Sequence, residues 1–335
     1  MSPQEVQLIE NIPTTDLIAY DNFLKGKFAA HKYNTEDLSL AMQYFEKAKE
    51  RDPGFALAYA GIAYVWIFRQ QGGIATPEEA VPKMMEAVEK ALELDNSLAE
   101  VHYMKANLNV LGLWDWEAGE SSYKKAIEIN PNHAEAHALY AQLLYLLGQQ
   151  EEAMRHAELA ITLDPGSIVI NMWYSAVLLI DGRYDDCIVR SREVLKNNPT
   201  YKGFNHLLSM AFHMKGEYDE AFEATELMFN NPFQSFDHVF DQYEKLGYTG
   251  TMNLLADTLF AQSKTQWVSQ AIIAMLYCYA GNKERALDCL ELAYEMRDVQ
   301  VIYSGTYPHL AIIHNEPRFQ EIMRKLNLPI NKIES

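Results

Sequence analysis

Small, apolar and proline residues recur along this chain at fixed intervals. In one stretch a step of three residues leads from Tyr123 to Ala126, and a step of five leads on to Pro131. Prolines then follow at two successive intervals of 34 residues. Apolar residues three or four positions apart share one face of a helix, so each unit predicts packed helices that end before a proline. The two closing steps occur in four places: Phe45–Ala48–Pro53, Tyr123–Ala126–Pro131, Ala157–Ala160–Pro165 and Ser191–Val194–Pro199.

The unit that begins at Ala134 shows the predicted helix pair without gaps. Helix A is predicted over 134–147, Gly148 interrupts it, and helix B is predicted over 151–163. Small residues stand where the two helices must approach each other closely, at Ala141, Ala153 and Ala160. Later units begin at Ile168, Lys202 and Trp267, with glycine breaks at Gly182, Gly216 and Gly281.

A period of 34 residues with small residues at fixed offsets and a closing proline is typical of tetratricopeptide repeats. The sequence therefore predicts an all-α fold, a right-handed superhelical solenoid of seven or eight helix pairs. We expect an N-terminal extension over 1–16, an array over 17–300 with a divergent pair at 233–266, and a C-terminal capping segment over 301–335. After residue 297 the pattern becomes irregular, and Pro317 opens a last helix.

Two stretches lengthen the repeats. One is 33–37, and the other is 70–77, where two glycines break helix A. Thr76, Pro77 and Glu79 predict a capping box that starts the next helix. We expect the 70–77 loop to project from the array.

Acidic residues follow three of the predicted helix breaks. One interpretation is a carboxylate site, but unpaired N–H groups and the helix dipole also attract carboxylates to helix N-termini. Their recurrence at one repeat position favours the second interpretation. These residues are Glu151 and Glu152, Asp185 and Asp186, and Asp219 and Glu220.

A narrower resemblance is carried by four motifs. The chain resembles the tetratricopeptide region at the C-terminal end of bacterial regulatory proteins, over roughly residues 17–328. In that family the array follows a DNA-binding domain or an adenylate cyclase catalytic domain, and neither effector domain is expected within this sequence. The resemblance implies a non-enzymatic, partner-sensing role. The motifs are YDNFLKGK from Tyr20, WDWEA from Trp114, NPNHAEAH from Asn130 and EPRF from Glu316.

Charge and cysteine content narrow the partners and the compartment. The chain has 28 Lys and Arg against 46 Asp and Glu, a net charge of −18. Such a chain repels nucleic acid and anionic membranes, and suits a basic or apolar protein partner. Three cysteines without metal-ligand spacing (Cys187, Cys278 and Cys289) favour a reduced, cytoplasmic setting. Cys278 and Cys289 lie within helical patterns, and we expect their thiols to be buried. We find no signal-peptide pattern and no apolar run of membrane-spanning length.

The histidines suggest metal binding, but their spacing argues against it. His133 and His137 are spaced i, i+4 without an evident third ligand, and His137 stands where this family packs a large side chain against helix B. His206 and His213 are about 10.5 Å apart along a helix. Common catalytic motifs are absent from the sequence. We expect no catalysis, no metal and no cofactor.

The predicted binding site is the groove formed by the A helices. In the family, positions 2, 5, 9, 12 and 13 of helix A face the concave surface. Here those positions are rich in aromatic residues and methionine, which suits an apolar helix or an extended peptide. Asn107 and Gln142 can bond a peptide backbone, and the carboxylate-clamp residues of some arrays are missing. The predicted groove residues are Tyr64, Phe68, Tyr103, Asn107, Gln142, Tyr145, Met172, His206, Met210 and His213.

Two alternatives stay open at the level of sequence. The chain is either a protein-interaction module or a cytosolic receptor for a small ligand or signalling peptide. A deep closed pocket would favour the receptor, and an open channel would favour the module. The groove residues can also pack against the terminal segment of the chain instead of against a partner.

Overall fold

The computed structural model describes residues 14–32, 34–199, 201, 203–229 and 235–330. Over these ranges the fold is all-α and contains no strand, as predicted. The chain divides into two compact units, Met1–His133 and Ala134–Ser335. The repeat pattern runs through residue 133 without interruption, so the sequence did not predict this division.

Unit 1 contains three helical hairpins, in which α1 packs on α2, α3 on α4 and α5 on α6. A π-helical turn, Leu108–Leu113, follows α5 before the last helix of the unit begins. The helices are α1 (Leu17–Ala30), α2 (Thr35–Arg51), α3 (Ala56–Gln71), α4 (Pro77–Leu94), α5 (Ala99–Asn107) and α6 (Trp116–Ile129).

Unit 2 contains further hairpins and ends in two 3₁₀ helices and a last α-helix. The 3₁₀ helices are Val299–Gly305 and Pro308–Ile313, and we call residues 299–313 the C-terminal segment. The α-helices are α7 (Ala134–Leu146), α8 (Gln150–Leu163), α9 (Ile168–Ile180), α10 (Tyr184–Asn197), α11 (Gly203–Lys215), α12 (Tyr218–Phe229), α13 (Asp237–Phe240), α14 (Tyr243–Gln262), α15 (Gln270–Tyr279), α16 (Lys283–Glu295) and α17 (Pro317–Leu326).

The predicted helix breaks are confirmed. Gly148, Gly182, Gly216 and Gly281 have φ values of 77°, 76°, 75° and 74°. This left-handed conformation is open to glycine and strained for other residues, so it ends helix A sharply. Each glycine is followed by a helix B, and the predicted acidic residues lie in the first turns of α8, α10 and α12.

The capping residues of α4 also lie where the sequence predicts them. The Thr76 hydroxyl accepts a hydrogen bond from the Glu79 amide at 3.4 Å, and Pro77 opens the helix. The 70–77 loop thus ends in a defined helix start. Residue 33, within the other predicted insertion, lies outside the described residues.

The small residues of the repeats let helices approach closely. Ala41, Phe45 and Ala48 of α2 are at most 1% exposed. A Cβ atom on Gly26 or on Gly61 would lie within 2.6 Å of the Phe45 ring. Phe45 therefore packs between α1 and α3 because glycine faces it on both sides.

The divergent region differs in detail from the prediction. We predicted helices over 237–246 and 252–262, whereas the first stretch holds the short α13 and the start of α14, which continues into the second stretch. Gly247, with φ 64° and ψ −177°, kinks α14 where the predicted break lies. Residues 230–234 and the chain ends 1–13 and 331–335 lie outside the described residues, so the predicted extension and capping boundaries stay predictions there.

Candidate functional site

The helix-A face of unit 2 is covered by the C-terminal segment. The first 3₁₀ helix contacts α7 and α15, and the second contacts α11 and α15. Val301, Ile302 and Ile313 are completely buried. The surface that the sequence assigned to a partner is therefore occupied, within this unit, by the chain itself.

Gln142 and Tyr303 form the polar link between this face and the segment. The Gln142 amide Nε2 donates to the Tyr303 hydroxyl at 2.6 Å. Trp173 of α9 lies beside the same tyrosine, with ring centroids 6.3 Å apart. The space left between these residues and their neighbours is about 10 Å³, which is room for about one water molecule. It is too small for a ligand pocket.

Tyr145 and Met172 are placed differently on this face. Tyr145 is 1% exposed, and burial raises the pKa of its phenol. Met172 is half-buried, and its sulfur accepts a hydrogen bond from the Tyr201 hydroxyl at 3.1 Å. Met172 is therefore the more accessible of the two predicted groove residues.

The predicted residues of α11 lie in an aromatic and sulfur-rich cluster. His206 Nε2 is 3.2 Å from the Met275 sulfur. His213 Nδ1 is 3.1 Å from the Tyr248 hydroxyl, and its ring stacks on Tyr279 with centroids 4.2 Å apart. Met210 is completely buried. These residues are held by internal contacts, which sequence spacing alone cannot distinguish from groove exposure.

Burial lowers the pKa of both His206 and His213 to about 4. The unfolded chain keeps an ordinary histidine pKa of about 6.5, so it binds more protons than the folded chain between pH 4 and pH 6.5. The stabilisation is complete above about pH 6.5 and is lost as the pH falls through this window. The unfolding free energy should drop by about 2 kcal/mol per histidine from pH 7 to pH 5.

Urea unfolding at pH 7 and pH 5 checks this pH dependence. His206→Gln and His213→Gln should each reduce the difference between the two pH values, whereas His238→Gln, at an exposed histidine, should not. An unchanged difference in both buried variants would contradict the assignment.

The predicted residues of unit 1 also contact one another. Tyr64 and Phe68 pack with ring centroids 4.6 Å apart and are 8% and 9% exposed. The Asn107 amide donates to the Tyr103 carbonyl at 2.8 Å, and the Tyr123 hydroxyl donates to Asn107 Oδ1 at 3.2 Å. Asn107 is thus engaged inside its own hairpin by both ends of its amide.

A groove that the sequence did not predict lies on unit 1 between α2 and α4, with α3 as its floor. Its volume is about 680 Å³. Tyr59, Ile62 and Trp66 line the floor at helical spacing. The walls are charged, and include Glu86 and Glu89 on α4. The sequence signal for this groove is the i, i+3, i+7 spacing of its three floor residues. The groove was not predicted because these residues lie on a face of α3 other than the predicted binding face.

The histidine pair in unit 2 and the cysteines do not form a metal site. His137 Nδ1 lies 2.7 Å from His156 Nδ1, so His137 packs against helix B as predicted. Within the described ranges no group of three or more His, Cys, Asp or Glu residues is arranged to hold a metal ion. Burial raises the pKa of the Cys187 and Cys289 thiols to about 12. All three cysteines are free and buried.

Comparison with known proteins supports the repeat architecture. Residues 122–155 match the family described as tetratricopeptide repeat. Human IFIT1, solved as a dimer with m7Gppp-AAAA, superposes with a TM-score of 0.55 at 16% identity, covering 87% of this chain and 75% of that chain. At this identity the likeness shows the fold alone.

Two curated relatives match parts of the sequence. Transcriptional regulator HilA of Salmonella typhimurium is 24% identical over 211 residues, which are 61% of this chain and 37% of that protein. A STIP1 homolog of Dictyostelium discoideum is 31% identical over 98 residues, 29% of this chain and 17% of that protein. This chain thus spans well under half of either relative.

The helical hairpins, the glycine breaks and the matched repeat identify the chain as a tetratricopeptide-repeat protein. Repeats of this kind generally mediate protein–protein interactions and are generally not enzymes. No helix in the described part of the chain is long and apolar enough to cross a membrane.

Proposed function

We propose that this chain is a non-enzymatic, cytoplasmic protein-interaction module that holds a peptide or helix against its helix-A face. The observation that carries the proposal is the C-terminal segment itself. In unit 2 an irregular, aromatic stretch of chain lies on the A helices, anchored by Tyr303 at Gln142 and Trp173. A face that holds one such stretch has the chemistry to hold a partner peptide of the same kind.

The regulatory role is the second part of the proposal. The resemblance to bacterial regulators and the partial match to HilA both suggest the partner-sensing part of a regulator. The net charge of −18 favours a basic or apolar protein partner over nucleic acid. The space of about 10 Å³ beside Gln142 gives no support to a small-ligand receptor at this face.

Because the C-terminal segment occupies the helix-A face of unit 2, a partner that binds there has to displace this segment. A partner that uses the predicted residues of unit 2 must compete with the C-terminal segment for Gln142 and Trp173. We expect the segment to reduce the affinity of the wild-type chain, because an intramolecular ligand acts at a high effective concentration. The half-buried Met172, His206 and His213 give the first contacts for such a partner.

A labelled peptide that copies residues 299–313 tests the binding mode by fluorescence anisotropy. It should bind the full-length Tyr303→Ala variant at least tenfold more tightly than the wild type. Adding Met172→Glu should weaken that binding, and Val189→Glu, at a residue 57% exposed on α10, should not. Absence of peptide binding to a folded Tyr303→Ala chain would reject the peptide mode.

A pull-down from a bacterial lysate then addresses the regulator role. A partner captured by the wild type, lost with Met172→Glu and kept with Val189→Glu supports the module. A partner that all three chains capture equally would place recognition elsewhere, with the 680 Å³ groove of unit 1 as the next surface to test.

A further inference from the structure

The first helix presents an apolar stripe to solvent. Leu17, Tyr20, Leu24 and Phe28 follow steps of three, four and four residues, so they lie on one face of α1. Their exposed fractions are 81%, 36%, 46% and 72%. The stripe is about 16 Å long at 1.5 Å per residue. At its C-terminal end the Lys32 ammonium lies 5.2 Å from the Phe28 ring centroid.

Later A helices show that this kind of face is normally buried. α3 contacts α4 of its own hairpin and α2 of the preceding one, and α9 and α11 are flanked in the same way. Gly61 marks the α3 face that meets α2, since its Cβ would contact Phe45. Ala58 and Val65 on that face are completely buried. Among the described residues, α1 has its own hairpin partner but no preceding helix.

Two opposite charges lie beside the stripe, one on each side of its middle. Leu17 and Phe28 lie at equal distances from the middle of the stripe, and Asp21 and Lys25 lie on either side of it. Asp21 Oδ2 and Lys25 Nζ are 2.6 Å apart, and both side chains are more than half exposed. When a second α1 packs antiparallel, each Lys25 comes next to Asp21 of the other copy. A parallel pair brings no such opposite charges together.

We propose that this face is a self-association surface, on which two copies of the chain pair through antiparallel α1 helices. The apolar ends of the stripe cover each other, Leu17 on Phe28, and each Asp21 lies beside the Lys25 of the other copy. Such an isologous contact closes as a two-fold dimer and does not extend into a fibre. One helix face is smaller than the roughly 800 Å² that each partner contributes to a standard interface, so we expect a micromolar Kd.

Sedimentation of the full chain from about 1 to 200 μM tests the pairing, because this range brackets a micromolar Kd. The wild type should pass from monomer to dimer, and Leu24→Glu or Phe28→Glu should weaken the dimer at least tenfold. Leu227→Glu, at a residue 52% exposed on α12, is the matched control and should leave it unchanged. Circular dichroism shows whether each variant is folded, and two independent variants guard against loss of folding in one.

Charge and cysteine variants test the antiparallel geometry. Asp21→Lys and Lys25→Asp should each weaken self-association, and an equimolar mixture of the two should restore it. Leu17→Cys mixed with Phe28→Cys should form a disulfide-linked dimer, and neither variant alone should do so, since the native cysteines are buried. Cross-linking of Phe28→Cys alone would overturn the antiparallel arrangement.

The remaining outcomes decide between occupants of the stripe. A wild type that stays monomeric at every concentration overturns the proposal. If deletion of residues 1–13 then produces a dimer, the occupant is the N-terminal segment of the same chain. Dimerisation through α1 does not involve the helix-A face of unit 2, so this test and the peptide test fail or succeed separately.

Discussion

Ala160→Arg should unfold the hairpin formed by α7 and α8, whereas Leu159→Arg, one position earlier, should leave it folded. Ala160 is completely buried and Leu159 is 40% exposed on the same helix. A guanidinium at position 160 needs volume that the close helix contact lacks, and its charge would be buried without a designed partner. We expect a loss of more than about 4 kcal/mol of unfolding free energy.

Urea unfolding followed by far-ultraviolet circular dichroism measures this difference. Hydrogen exchange should locate the loss first in α7 and α8, because tetratricopeptide repeats are stabilised mainly by contacts with their neighbours. The Leu159→Arg variant controls for helix propensity and for added charge. Equal stability of the two variants would show that position 160 does not lie in a tight helix contact.

Tyr303→Ala should release the C-terminal segment from the helix-A face of unit 2. The substitution removes an aromatic side chain that is 3% exposed and leaves the buried Gln142 amide without its hydroxyl partner. Loss of a large buried side chain and of a buried hydrogen bond should together cost about 4 kcal/mol. Hydrogen exchange should rise in residues 299–313 and in the parts of α7 and α15 that they cover.

Two variants separate the contributions to this effect. Tyr303→Phe keeps the ring and removes the hydroxyl, so it should cost about 1–3 kcal/mol for the unpaired amide. Ile312→Ala truncates a residue of the same segment that is 39% exposed, and should have a small effect. If Tyr303→Ala leaves exchange unchanged in α7 and α15, the segment does not protect the helix-A face in solution.

The predicted binding site illustrates what repeat spacing can and cannot decide. Position within the repeat places Gln142, Tyr145 and Met172 on helix-A faces of unit 2. Their chemistry does not distinguish a partner from the chain's own terminal segment, because both offer aromatic and amide contacts. Gln142 bonds to Tyr303, which is 161 residues away in the sequence. Such a contact leaves no periodic signal, so partner binding at these residues stays a prediction.

Local physical chemistry accounts for the features that the sequence predicts correctly. Helix pairs follow from apolar periodicity, their ends from Gly148 and its equivalents, and the start of α4 from Thr76 and Pro77. These signals act within a few residues of one another, where backbone sterics and capping hydrogen bonds dominate. The repeat class and the burial of Ala160 therefore follow from spacing alone.

Which helix faces are covered depends on long-range packing, which the sequence pattern does not reveal. This packing divides the chain at His133, lays residues 299–313 on the helix-A face of unit 2, and leaves Leu24 and Phe28 of α1 exposed. Each outcome depends on which distant segment reaches a given apolar face. Hydrophobic burial is non-directional. An apolar stripe in the sequence therefore predicts that a helix face is buried, but it does not predict which segment buries it.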